Sequence, residues 1–277
     1  MLQRITHAHG LVTYQSPLLI AAGVRHAFST RHGGVSAGPF TSLNLGNPQL
    51  PGPQDDLANL QQNYDRLQQA VGLGGARRAW VRQVHGRAVE MLEREAYNEY
   101  GETLEAELRD RFSGQLSADG LVTDTPEVAL TIRVADCAAI LLASTDGRIV
   151  AALHAGWRGV VGNIAERGLR VMTELGAKSA EIVAAIGPCI STQHFEVGPE
   201  VAETFAQNDL AAVVHHDVGP KPHIDLQHAI TLQLNRAGVL RVDTNDLCTV
   251  RDAGDFYSHR RDNGNTGRLA AIISPRT

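Results

Sequence analysis

The residues of this chain best suited to chemistry are two histidines and a cysteine, each where an apolar stretch runs out. They are His85 in "RQVHG", Cys137 in "RVADC" and His154 in "AALHAGWRG". Two imidazoles and one thiolate make a borderline-soft set of three donors, which suits Zn²⁺ and leaves a fourth position open. The spacing is wide, with 52 positions from His85 to Cys137 and 17 from Cys137 to His154. Single ligands drawn from distant segments characterise a catalytic metal, whereas a structural zinc takes its ligands in short-range pairs. An open site lets the metal polarise a carbonyl-like group or bring bound water to a pKa of about 7. Cu²⁺ is possible at the same three ligands, because copper binds such donors more tightly than zinc. A multicopper electron relay needs repeated His-X-His pairs. The chain has one, His7 and His9, in what reads as a frayed amino terminus.

Polar loops supply further candidates. Residues 29–46, "STRHGGVSAGPFTSLNLG", combine glycines, which permit close backbone approach, with Arg31 and Asn44. Turn chemistry in a surface loop explains the same composition. Residues 256–268, "FYSHRRDNGNTGR", carry Arg260 and Arg261 as anion-binding or merely solvated groups. Arg158 follows His154 by four residues and so lies closer to the metal candidate. Asp136 is the carboxylate nearest Cys137 in sequence. If residues 134–137 are extended, the two side chains face opposite ways, and Asp136 supports the site without touching substrate. Cys189 and Cys248 sit among apolar residues and read as packing; three cysteines in 277 residues do not make a disulfide framework.

The elements that must position these residues are legible from periodicity. Residues 55–73 read as a helix with Leu57, Leu60, Tyr64, Leu67 and Val71 on one face. Residues 77–86 read as a strand. The apolar stretches 128–134, 138–144 and 148–154 read as consecutive buried strands, followed by a helix over 160–175 and a strand over 181–188. Helices are expected from Pro199 and over 225–238, capped by Asp225, and a last strand over 268–274. Several strands follow one another with short turns, which predicts an α+β fold with mixed β-sheets flanked by helices. No repeat or linker divides the chain, so residues 1–277 are expected to form a single domain. Residues 93–115, rich in Glu and Arg, read as a charged helical insertion.

Bulk properties exclude some classes. A net charge of −5 argues against nucleic acid as a partner. No apolar run approaches the ~20 residues of a membrane span, and the amino terminus lacks the apolar core of a signal peptide. The expected location is cytoplasmic.

Ten ordered motifs then resemble one family: "TRHGGVSAGPFTSLNLG", "QVHG", "SADGLVT", "VADC", "HAGWRG", "AIGPCI", "FEVG", "HIDL", "DLCT" and "FYSHRRDNGNTGR". They are similar to the bacterial YfiH/YlmD-type family, whose members are also called laccase-domain proteins, polyphenol oxidases, peptidoglycan editing factors and purine nucleoside phosphorylases. The likeness runs from about Val24 to Ile273. It implies one zinc on His85, Cys137 and His154, and phosphorolysis of adenosine, inosine and methylthioadenosine with accompanying adenosine deaminase activity. The implied partners are purine nucleosides and phosphate, with the protein a monomer or homodimer. For that reaction Arg31, Arg158 and Arg260 are the anion-binding candidates, and Asn44 is a hydrogen-bonding candidate for sugar or base. Two departures stand out: Phe195 and His259 each replace a frequent tyrosine. The competing readings are a cysteine-type hydrolase or amidase editing peptidoglycan precursors, with Cys137 as nucleophile, and a copper-dependent polyphenol oxidase.

Overall fold

A computed structural model describes residues 1–46, 54–92 and 113–276. The insertion expected near 93–115 lies outside them, apart from its last three residues, which open a strand.

The strands begin with β1 (Gln3–Thr6), β2 (Val12–Gln15), β3 (Arg25–Ser29), β4 (Arg77–Arg82) and β5 (Val89–Leu92). The middle of the chain supplies β6 (Ser113–Ser117), β7 (Gly120–Thr123), β8 (Val128–Val134), β9 (Ala138–Ser144) and β10 (Val150–Ala155). Then come β11 (Ile182–Ile186), β12 (Val214–His215), β13 (His223–Ile224), β14 (Arg241–Asp243) and β15 (Leu269–Ser274). The helices are α1 (Pro17–Ala21), α2 (Leu57–Ala70), α3 (Trp157–Val161), α4 (Ile164–Glu174), α5 (Pro199–Gln207) and α6 (Leu226–Arg236).

Two large sheets have the orders β1-β2-β3-β15-β8-β4-β6 and β14-β11-β9-β10-β7-β5, and β12 and β13 pair in a separate two-stranded sheet. Both large sheets are mixed. In the first, β8, β4 and β6 pair in parallel; in the second, β5 and β7 do, as do β11 and β14. The fold is therefore α+β with mixed sheets, as the clustering of strands predicts.

Side-chain alternation explains the layers. In β8, Val128, Leu130 and Ile132 join Leu141, Val150 and Val183 of the other sheet in a core between the sheets. The opposite face of β9 and β10, with Ile140, Leu142 and Leu153, packs on Val160, Ile164, Leu169, Phe205 and Ile230 from the helices. On the far side, Ala129, Ala270 and Ile272 meet Tyr64 and Leu67 of α2. Strands covered on both faces read as unbroken apolar runs, which is why 128–154 stood out in the sequence.

Some local expectations are corrected. The segment 160–175 is two helices, because Asn163 takes left-handed φ 56° and its side chain accepts from Glu166 N, starting α4 afresh. The helix expected over 55–73 runs from 57 to 70; Leu57, at its first position, is exposed, while Leu60, Tyr64 and Leu67 face inward. The amino terminus is not frayed. Its β1 pairs with β2, and His7 Nε2 lies 2.8 Å from Thr13 Oγ1.

Candidate metal centre and cavity

His154 closes β10, the strand between β9 and β7, and is 3% exposed. Cys137 lies in the tight connection between β8 and β9. His85 lies three residues past β4 and not within a strand, at φ 58°, a left-handed conformation in which histidine is enriched. The ligand atoms of the three side chains all lie within 4.8 Å of one another. The two imidazoles meet edge to face at 4.9 Å between centroids. Around a tetrahedral ion with bonds of about 2.0–2.3 Å, donors are roughly 3.3–3.8 Å apart, so the cluster meets that requirement with little closure.

One carboxylate organises the cluster. Asp119, fully buried just before β7, accepts from His154 Nδ1 at 2.7 Å. It also accepts from the backbone amides of Val84 (3.3 Å), His85 (2.9 Å) and Gly86 (2.6 Å). Three successive amides turned on one anion form a nest, and it fixes the unusual backbone that carries His85. Burial works against the charged carboxylate, but the hydrogen bonds from His154 and the amides outweigh it and hold Asp119 below the usual carboxylate range. With Nδ1 engaged, His154 turns Nε2 to the cluster. This is the arrangement by which metal-ligating histidines are commonly oriented.

The electrostatics suit a cation. Burial pushes the Cys137 thiol up, yet the charge of His154 and hydrogen bonds from both imidazoles pull it below an ordinary thiol. Burial likewise disfavours charge on His154, but Cys137 and Asp119 hold its proton on. The pair thus favours thiolate beside imidazolium, a negative sulfur facing a positive charge that a metal ion can replace. Space is reserved as well. A Cβ on Gly156 would sit 3.1 Å from Cys137 Sγ and 3.3 Å from His85 Cδ2. A two-nitrogen, one-sulfur set with an oriented histidine and a glycine-cleared approach fits zinc.

The cluster opens on a cavity of about 440 Å³. Part of the wall is apolar, with Trp157, Ile190, Phe195 and Leu226; another part is cationic, with Arg82, Arg133, Arg260 and Arg268, next to His259. Arg260 is in this lining, over the Phe195 ring at 5.6 Å, with Nη1 donating to the carbonyl of Glu196 at 3.1 Å.

Other expected site residues stand elsewhere. Arg31 is not in the lining: it donates to the carbonyls of Thr41 (2.8 Å) and Ala253 (3.2 Å) and lies over the Tyr257 ring, binding two loops together. Arg158 is exposed and lies against Trp157, whose indole does reach the cavity. Asn44 is buried outside the lining. Its Oδ1 accepts from the amides of Gly46 (3.0 Å) and Arg268 (2.9 Å), and its Nδ2 donates to Asp55. Asp136, at φ 94° and so not extended, accepts from Thr249 Oγ1 (2.6 Å) and the Arg260 amide (2.7 Å), which pins the 256–268 loop beside Cys137. Cys189 and Cys248 are buried.

Sequence reasoning missed Asp119, Arg82, Arg133 and Arg268. Asp119 carried one signal, a carboxylate in "SADG" before a glycine-opened strand. The arginines carried none, since each ends or interrupts an apolar run like any surface cation.

Comparison with known proteins follows the same lines. A family model described as "Multi-copper polyphenol oxidoreductase laccase" matches residues 25–276. A protein of Deinococcus radiodurans named "Purine nucleoside phosphorylase" is 38% identical over 266 residues, 96% of this chain and 94% of its own. A crystal structure of a Neisseria meningitidis protein superposes with a TM-score of 0.79 at 32% identity, covering 96% of this chain and 99% of that one. The structure of YlmD from Geobacillus stearothermophilus does so at 0.80 and 29% identity, covering 99% of each. The chain belongs to the YfiH-type laccase-domain family.

Proposed function

We propose that this protein is a zinc-dependent purine nucleoside phosphorylase acting on adenosine, inosine and methylthioadenosine, with an accompanying adenosine deaminase activity. The observation that carries the reading is the convergence of His85, Cys137 and His154 at the edge of a cavity with both aromatic and guanidinium walls. Its volume lies in the range of small-molecule sites. The relative named purine nucleoside phosphorylase supports the substrate class.

His85, Cys137 and His154 would hold the ion, and bound zinc supplies Lewis-acid polarisation at an open fourth position. Phe195 and Trp157 offer faces for a purine ring, and Arg260 reaches the substrate from the 256–268 loop. His259, in the same lining, is the imidazole available to carry a proton. Arg31, Arg158 and Asn44 act by positioning: Arg31 ties loops, Arg158 backs Trp157, and Asn44 holds the amide of Arg268. In this reading residues 1–277 work as one domain, as a cytoplasmic monomer or homodimer. No helix among the described residues is long and apolar enough to cross a membrane.

The test incubates zinc-loaded protein and His85→Ala with each nucleoside, with and without phosphate. Free base and ribose 1-phosphate formed only with phosphate and only by the zinc-loaded protein are expected. Base release without phosphate would make it a hydrolase, and no product at all would remove the nucleoside reading.

A second reading has one observation in its favour. The lowered thiol of Cys137 beside His154 is also the pattern of an activated cysteine nucleophile, as an amidase editing peptidoglycan precursors would need. Metal content separates the two, since full activity in metal-free protein favours the thiol. Phenol oxidation by copper-loaded protein tests the activity the family description names.

A further inference from the structure

Strand register gathers arginines on one face of the larger sheet. In β8, Val128, Leu130, Ile132 and Val134 face the core between the sheets, so alternation turns Arg133 to the other face, with Ala129. In β15, Leu269, Ala271 and Ile273 face that same core, and Ala270 is the register partner of Arg133. Arg268, two residues before Ala270, therefore leaves the sheet on Arg133's face and diagonally beside it. Arg82 ends β4, the parallel neighbour on the other flank of β8. All three line the cavity that holds the His-Cys-His cluster.

Their partners are neutral. Arg82 donates to Ser117 Oγ at 3.1 and 2.7 Å, and Arg133 Nη2 to the carbonyl of Val81 at 3.1 Å. Arg268 Nη1 donates to the carbonyls of Thr266 and Gly267, each at 3.0 Å. Among the described residues none of the three is in an ion pair. The nearest cavity carboxylate, Asp136, is occupied by Thr249 and the Arg260 amide. A guanidinium cannot shed its proton to escape burial, so for the partly buried Arg133 and Arg268 the cost of desolvation persists until an anion meets them, while Arg82 stands exposed at their flank. The cluster is local, because the chain as a whole carries a net charge of −5. Burial also lowers Arg133 and Arg268 from the ordinary arginine range; the charges of Arg78 and Arg268 add to the effect on Arg133, while Tyr64 opposes it there and the charges of Asp136 and Cys137 oppose it at Arg268 without cancelling it.

We propose that Arg133 and Arg268, flanked by Arg82, hold the phosphate that attacks the nucleoside, an assignment that rests on the phosphorolysis reading above. Planar forks from two strands match the oxygens of a tetrahedral dianion. A phosphate oxygen donates its electron pair to the anomeric carbon. The carbon–nitrogen bond to the purine breaks, its electron pair leaves on the ring nitrogen, and that nitrogen takes up the proton that the attacking hydrogen phosphate gives up. The products are ribose 1-phosphate and free base. The shared chemistry is a phosphate group, whose sources are inorganic phosphate, which this assignment requires, or the 5′-phosphate of a nucleotide.

The test uses the full chain as wild type, Arg133→Gln, Arg268→Gln and Arg133→Lys. Calorimetry with inorganic phosphate is run on zinc-loaded and zinc-free protein, and initial rates are measured against phosphate and against inosine. Loss of a charged hydrogen-bond partner should weaken phosphate binding roughly 10- to 100-fold in both Gln variants, with or without zinc. The KM for phosphate should rise in parallel while the KM for inosine changes less than about twofold. Arg133→Lys, which keeps the charge without the fork, should fall between, with an unchanged melting temperature that excludes misfolding. Unchanged phosphate affinity in folded Gln variants that still perform phosphorolysis overturns the assignment and leaves the phosphorylase reading intact. Arginine-dependent phosphate binding without any phosphorolysis keeps the anion site and overturns the attacking role together with that reading. Inosine monophosphate binding that collapses in the Gln variants while inorganic phosphate is unaffected overturns it in favour of a nucleotide site.

Discussion

Asp119 Oδ1 lies 2.7 Å from His154 Nδ1, and the same oxygen accepts the backbone amide of His85 at 2.9 Å. One carboxylate atom thus orients the ring of one candidate ligand and the main chain of the other. The two histidines are 69 positions apart in the chain and cannot move independently while Asp119 is charged.

Asp119→Ala should loosen both histidines without removing a ligand. Losing such an outer partner typically lowers metal affinity about 10- to 100-fold. Competition with a chromophoric zinc chelator measures it, and Asp119→Asn, which keeps an acceptor, should recover part of the loss. Equal zinc affinity in wild type and Asp119→Ala would refute the linkage.

His85→Ala, Cys137→Ala and His154→Ala each remove a donor. Zinc retained per chain should fall further than it does on losing an outer partner, whose removal costs about 10- to 100-fold in affinity, and phosphorolysis should fall with it. Elemental analysis after dialysis measures the first. Chelator treatment of wild type should reproduce the loss of activity, and added zinc should restore it.

Gly156→Ala tests the cleared approach. Its φ of −72° suits any residue, so the effect comes from the Cβ placed 3.1 Å from Cys137 Sγ. Zinc affinity should drop by about tenfold, while the melting temperature should move only a few degrees, as for a ~1 kcal/mol change. An alanine variant that binds zinc as wild type does would show that the sulfur shifts freely.

Asn44→Ala separates positioning from substrate contact. The change leaves the amides of Gly46 and Arg268 without their acceptor, at about 1–3 kcal/mol for each buried group. Denaturant unfolding should show the loss, and KM for nucleoside should stay near wild type in the folded fraction. A large rise in nucleoside KM with unchanged stability would instead put Asn44 on the substrate.

His26 predicts an acid sensitivity independent of the candidate metal centre. It is 2% exposed and accepts the Ser16 amide at Nε2 (2.8 Å). Burial pushes its pKa down to about 4, against smaller opposing effects from the Val24 carbonyl and Asp243. The unfolded chain, near 6.5, takes up the proton first as pH falls. The stabilisation is therefore complete above about pH 6.5 and disappears between there and about pH 4, with a total of about 3 kcal/mol. Urea midpoints across that range should fall less steeply for His26→Gln, which keeps a side-chain acceptor without the titration.

The sequence alone determined the donor types of the candidate metal centre, the mixed α+β class and the buried strands from 128 to 154. Each depends on local chemistry: a soft donor set is readable from residue identity, and a strand covered on both faces must be apolar throughout. It also placed Asp225 correctly as the cap of α6 and Pro199 at the start of α5, because caps are decided within one turn. Tertiary structure alone decided that Asp119, and not the neighbouring Asp136, binds His154. It likewise decided that Arg82, Arg133 and Arg268 face the cavity while Arg31 and Arg158 do not. Those outcomes depend on which strand lies beside which and in what register, and pairing across 135 residues, as between β8 and β15, leaves no periodic trace in either segment.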